Sequence, residues 1–152
     1  MRRIPLLLAS LISATAFGQT DSNERSDSVV SELSARSSIP EAEVRELLSD
    51  CSKNQMSMNI CMFYSFVDAD LKLKVVLREK TKTFGPSCRA TLTQRQKLWE
   101  FKRDQACNRS ADEEAKGGTM RPMIFSSCRA VATEARARQL AAAVRCGELP
   151  RK

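Results

Sequence analysis

Four charged residues, Asp70, Arg103, Asp104 and Arg136, and six cysteines, Cys51, Cys61, Cys88, Cys107, Cys128 and Cys146, are the side chains whose type and spacing invite a chemical reading. Asp70 and Asp104 could be imagined as a hydrolytic carboxylate pair, but nothing in the sequence sets their separation, and separation decides that chemistry. The chain has no histidine to serve as a general base. Its many upstream serines lack an activating partner. An even cysteine count is consumed by disulfides, and without histidine or a C-x-x-C pair a zinc site lacks its usual ligands. No catalytic residue, metal or cofactor is assigned, and the chain is read as a non-enzyme. Arg103 shares a helical face with Trp99 and Cys107, so it points inward or along a helix interface. Asp70, Arg103, Asp104 and Arg136 are therefore expected to form a structural polar network, in which arginine forks bind carboxylates and set helix register.

A second constellation is the segment Gly117, Gly118, Thr119, Met120, Arg121, Pro122 and Met123. Two glycines allow close backbone approach to a partner, and Met120, Pro122 and Met123 offer an apolar tip. The same glycines and proline are also what a helix-to-helix reversal requires.

These residues need elements to position them. Met58, Met62, Phe66, Ala69, Leu73, Val76 and Lys80 recur at three- and four-residue steps, which predicts one long helix from Met56 to about Lys82. Phe84-Gly85-Pro86-Ser87 stops it. A second long helix is expected from Cys88 to about Ala115, with Leu92, Trp99, Arg103, Ala106 and Cys107 sharing a face. Gly117-Gly118 ends it. A third runs from Pro122 to about Cys146, its apolar side supplied by Ile124, Cys128, Val131, Ala132, Ala135, Leu140 and Val144. Ser38-Ile39-Pro40-Glu41 opens a shorter helix that reaches Asp50, with Val44, Leu47 and Leu48 as its stripe. No stretch alternates as a strand would. The expected fold is all-α: an antiparallel bundle of three long helices plus a short N-terminal helix, stapled by disulfides.

That topology selects among the fifteen pairings six cysteines allow. Cys88 to Cys107 rises about 28 Å along the second helix, and Cys128 to Cys146 about 27 Å along the third. Matched spans put Cys107 opposite Cys128 and Cys88 opposite Cys146. Cys51 and Cys61 remain to pin the short helix to the long one.

Upstream, Met1-Arg2-Arg3, the apolar run Ile4 to Ile12 and the small residues through Gly18 read as a signal peptide over residues 1–18, cleaved after Gly18 or Ala16. The run is too short to span a bilayer, and the mature form is expected to lack a transmembrane segment. Residues 19–38 read as a disordered acidic, serine-rich linker, and 39–152 as the helical domain. Export implies a periplasmic or secreted protein. Charge is divided: residues 19–50 carry three basic and eight acidic side chains, residues 51–152 twenty and ten. A basic body favours anionic partners. The expected surface for an anionic envelope polymer is Lys72, Lys74, Arg78 and Lys82, with no specific nucleic-acid site.

Several short motifs carry a family resemblance. Gln55-Met56-Ser57-Met58-Asn59-Ile60-Cys61, followed by Ala69-Asp70 and Leu73, resembles the opening helix of the LprI-like lysozyme inhibitors. Trp99 to Cys107 resembles that family's Trp, Arg-Asp and Cys helix. Gly117-Gly118-Thr119-Met120, Pro122 and Ser127-Cys128 resemble its Gly-Gly loop, and Thr133, Arg136 and Leu140 its closing helix. The resemblance covers roughly Cys51 to Leu140. Departures are Lys74, Phe101-Lys102, and the additional Cys88 and Cys146. The resemblance implies a small secreted helical protein of a family named for inhibiting lysozyme, so lysozyme or a related glycan hydrolase is the expected partner. The glycines and apolar tip make Gly117 to Met123 the candidate inhibitory loop, with a plain helix reversal as the alternative. Many lysozymes are basic, so a mature chain of net charge +5 would meet a like-charged target unless complementarity is local.

Overall fold

A computed structural model describes residues 17–150. Five helices follow in order: α1 (Phe17–Ser37), α2 (Glu41–Ser49), α3 (Gln55–Thr83), α4 (Pro86–Ala115) and α5 (Arg121–Ala142), with a closing 3-10 turn at Cys146–Glu148. The described residues contain no strand. No helix among them is long and apolar enough to cross a membrane. The expected export signal falls, apart from Phe17 and Gly18, outside the described residues.

The ends of the long helices follow local chemistry. Asn54 caps α3 by accepting a 2.9 Å hydrogen bond from the Ser57 amide, which satisfies one of the free first-turn donors. Gly85 and Pro86 separate α3 from α4, with Pro86 opening the new helix, where its missing N–H costs nothing. Lys116 and Gly117 both adopt positive φ, 47° and 81°, to end α4. Gly117 takes that conformation without penalty.

The three long helices run up, down and up. Asn59 of α3 reaches the Thr119 carbonyl at the start of α5, while Lys80 donates to the carbonyls of Ala141 and Ala143 at its end. Thus α3 and α5 are parallel, and α4 is antiparallel to both. Lys80, which shares a face with the apolar stripe of α3, supplies its ammonium to the last carbonyls of α5, where a cation is favoured. All three expected disulfides form: Cys51–Cys61, Cys88–Cys146 and Cys107–Cys128.

The core has two apolar clusters stacked along the bundle. One joins Val29, Val30 and Leu33 of α1, Val44 of α2, Ile60, Phe66 and Val67 of α3, and Ala130 of α5. The other joins Leu73, Leu92, Leu140, Ala143 and Leu149. Leu149 belongs to the segment after α5, which folds back with its carbonyl on Arg95 at 3.0 Å.

Three expectations are corrected. Residues 19–38 are not a disordered linker, since α1 occupies nearly all of that segment. Composition alone could not stabilise it, but tertiary contact does. Leu33 and Val29 are fully buried, and burial of each such side chain contributes about 1.5–3 kcal/mol. Arg25 and Arg36 then tie α1 to Asp68 and Asp70 of α3. Second, α5 stops at Ala142 and turns a different face inward. Its buried stripe is Ser126, Ala130, Thr133, Arg136 and Leu140, whereas Val131 and Val144 are 66% and 73% exposed. Small and polar side chains occupy that stripe because α5 lies close along α3 and must house buried arginines. Third, Ala106 is exposed and Gln96 is buried in its place on the inner face of α4.

Candidate functional site

Between the two apolar clusters lies a belt of arginines stacked on aromatic rings. The Arg103 guanidinium sits 5.2 Å from the Phe66 ring centre and 5.0 Å from that of Trp99. Arg136 lies 5.3 Å over the other part of this belt, at Trp99. Arg129 lies 3.6 Å over Phe66 and 4.8 Å from Phe125. Aromatic faces attract cations, and the attraction grows where water is excluded. Trp99, the single tryptophan, is thus a half-buried packing residue between two guanidinium groups.

The four expected network residues do not form one connected set. Arg103, only 8% exposed, pairs with Asp104 at 2.8 Å and donates to the Thr133 hydroxyl at 3.1 Å. Arg136 is fully buried and donates to Gln96 at 3.2 Å. Asp70 instead pairs with Arg36 of α1 at 2.6 Å and with Lys74 at 3.4 Å. Burial alone would raise the Asp70 carboxyl pKa, but the Arg36 hydrogen bond and the charges of Arg36 and Lys74 outweigh it and hold it below its ordinary value. Arg136 is pushed down by burial and by the charge of Arg95.

Sequence reasoning missed Arg36, because its segment read as a linker, and Arg129. A signal for Arg129 was present, since it precedes Arg136 by seven residues and so shares its helical face. Among the described residues no three His, Cys, Asp or Glu side chains converge as metal ligands. Within the belt Arg103 and Arg136 are buried and bonded between α4 and α5, and the Phe66 ring is covered, whereas Trp99, Phe125 and Arg129 are partly exposed.

The Gly117–Met123 segment is at one end of the bundle. Only residues 116–120 form the connection, for Arg121, Pro122 and Met123 already belong to α5. Residues Gly117 to Met120 are all exposed. The connection is braced from both sides. Arg121 donates to Asp112 at 2.5 Å and to Asn108 at 3.2 Å, and Cys107–Cys128 ties the same two helices about 9 Å further along. On the third side stands Asn59 of α3, hydrogen-bonded to Thr119 at 3.4 Å.

Beside this turn the first helical turns of α3 and α5 enclose a groove of about 390 Å³. Met56, Asn59, Ile60 and Phe63 line one wall, and Pro122, Phe125, Ser126 and Arg129 the other. Each set follows the i, i+3, i+4, i+7 spacing of one helix face. Met56 is 51% exposed at this rim.

The basic surface expected on α3 is largely neutralised. Lys72 pairs with Asp68, Lys74 with Glu32 and Asp70, and Lys82 with Glu79. Lys72, Lys74 and Arg78 line a groove of about 550 Å³ that also contains Arg25 and Glu24.

Comparison with known proteins adds one finding. Residues 49–140 match the family model described as Lysozyme inhibitor LprI. The matched segment takes in α3, α4, nearly all of α5, two complete disulfides and the Gly-Gly turn. It excludes α1, nearly all of α2 and Cys146. No curated protein and no solved structure matches the chain.

Proposed function

We propose, from the premise that this chain belongs to the lysozyme inhibitor LprI family, that it is an exported, non-enzymatic binding protein that blocks a glycan-cleaving hydrolase by steric occlusion. The surface offered to the enzyme is the Gly117–Met123 end of the bundle. The observation that carries this reading is the pairing of exposure with rigidity: the turn is open to solvent, while Arg121, Asn59 and the Cys107–Cys128 bond brace the helices around it. A loop held in one conformation loses little entropy on docking, so more of its contact energy appears as affinity. Occlusion requires no chemistry from the inhibitor, which accords with a belt whose charged groups are engaged in packing.

The test is a panel of lysozyme classes incubated with the purified, oxidised protein, read as residual hydrolysis and as complex formation. Inhibition of at least one class at about micromolar concentration is expected, the ordinary range for a specific protein pair. Met120→Asp puts a charge on the exposed tip and should weaken that inhibition about ten-fold or more without changing thermal stability. If every class works at full rate and none binds, the inhibitor reading is wrong.

A second reading, binding of an anionic envelope polymer, draws support from the groove lined by Arg25, Lys72, Lys74 and Arg78. The internal pairing of both lysines and of Arg25 weakens it.

A further inference from the structure

The groove beside the Gly-Gly turn has a composition that specifies more than shape. Its walls are apolar through Met56, Phe63, Pro122 and Phe125, and they contain two arginines, Arg121 and Arg129, with no carboxylate. The acids that face those arginines lie outside the walls, on α4: Asp112 for Arg121 and Asp104 for Arg129. Asp104 is shared, since it also binds Arg103. One carboxylate therefore serves two guanidinium groups. The Arg129 Nε is buried and stands 3.2 Å from Asp104 but lacks a hydrogen-bond acceptor. That nitrogen is closed to a ligand, but one carboxylate between two guanidinium groups leaves positive charge in excess on this side of the groove. The excess favours an incoming anion at the exposed part of the Arg129 side chain, which is 18% exposed.

We infer that this groove receives an apolar side chain adjoining a carboxylate, presented by an acidic–apolar segment of a partner protein. The apolar walls take the side chain, and Arg129, with Arg121 at the rim, takes the charge. Neither feature alone would choose this occupant. A purely apolar residue would leave the second positive charge on the shared Asp104 uncompensated, and a hydrophilic anionic polymer would leave Phe63 and Phe125 unfilled. Arg129 is pushed down from its usual range by burial, with the charge of Asp104 opposing and that of Arg103 adding. A second carboxylate would relieve the repulsion between the two arginines. The inference rests on the reading that this end of the bundle meets a partner protein. It also resolves how a basic body can engage a target: complementarity is local, at one groove.

The experiment uses the full mature, oxidised chain, isotopically labelled, titrated with acetyl-Leu-Phe-Glu-amide and with its Gln counterpart and followed by NMR. Shifts should centre on Asn59, Phe63, Phe125 and Arg129. The Glu peptide should bind about five-fold tighter than the Gln peptide at low salt, and the difference should shrink at about 0.5 M salt, where exposed charges are screened. Met56→Glu, at an exposed rim position, should abolish this preference while leaving the fold intact. Equal affinity for the two peptides, shifts centred elsewhere, or no shift at millimolar peptide would each overturn the inference. So would a sulfated polysaccharide that reproduces the same shifts. Peptide binding without inhibition of any hydrolase would sink the inhibitor reading and leave the groove standing. Hydrolase inhibition undiminished by Met56→Glu would do the reverse.

Discussion

Asp70 is the residue at which charge and fold meet most directly. Its side chain is only 15% exposed, and it binds Arg36 of α1 and Lys74 of its own helix. Burial favours the neutral acid, but the hydrogen bond and charge of Arg36 prevail, so the folded carboxyl titrates below the ordinary value of 3.8. A group depressed in the folded state contributes stability above its unfolded pKa and loses it as pH falls through the folded one. The window therefore lies at and below about pH 4. Asp70→Asn should cost about 2 kcal/mol at pH 7, the range for a hydrogen bond between charged groups. Denaturant unfolding at pH 7 and at about pH 2.5 checks it: the gap between variant and parent should narrow strongly in acid. A gap of equal size at both pH values would mean that Asp70 acts by shape and not by charge. Glu32, held low first by the Arg36 hydrogen bond, has the same sign and adds to the same acid limb.

At the scale of elements, α1 is where composition misled most. Its sequence is polar, and among its described side chains Val29, Val30 and Leu33 are the ones that meet the core. The partner surface that makes three valine and leucine side chains sufficient lies on α2 and α3, so no local window could register it. Leu33→Ala tests the helix: it should cost about 3 kcal/mol, as a buried leucine does, measured as a shift of the denaturation midpoint, whereas a linker would be indifferent. The long helices were legible because Gly85-Pro86 and Gly117-Gly118 punctuate them and because α3 repeats its apolar residues at helical steps. The face of α5 was not, because its inward stripe is Ser126, Thr133 and Arg136, and hydrophobicity pointed instead to Val131 and Val144. The end of α5 was hidden for a similar reason. Its last carbonyls are satisfied by Lys80, sixty residues upstream, a contact that only the fold brings about. The groove walls were present as two matched spacings on α3 and α5, but their facing each other depends on those helices being parallel.

On the scale of the whole molecule, the three disulfides divide the labour unequally. Cys51–Cys61 closes a separation of 10 residues, Cys107–Cys128 one of 21 and Cys88–Cys146 one of 58. If each acts by restricting the unfolded chain, their removal should cost about 2.7, 3.3 and 4.2 kcal/mol respectively. The longest link has a further duty in the native state. It joins the first turn of α4 to the segment after α5, and that segment inserts Leu149 into the lower core. Cys88 and Cys146 are also the pair that the matched family segment does not span, so this closure is built on the shared three-helix body. Paired Cys→Ser variants, unfolded in denaturant at one pH, should fall in that order. Amide exchange across residues 144–150 should rise in the Cys88→Ser, Cys146→Ser variant, because beyond Ala143 the segment is then held to the bundle by Leu149 and by hydrogen bonds to Arg95 and Arg136. Hydrolase inhibition should survive in that variant, since its two sulfurs lie at the opposite end of the bundle from the Gly-Gly turn. The greatest loss on removing Cys51–Cys61 would contradict the loop-closure account. Loss of inhibition without Cys88–Cys146 would instead move the binding surface away from the end where Arg129 and the turn stand.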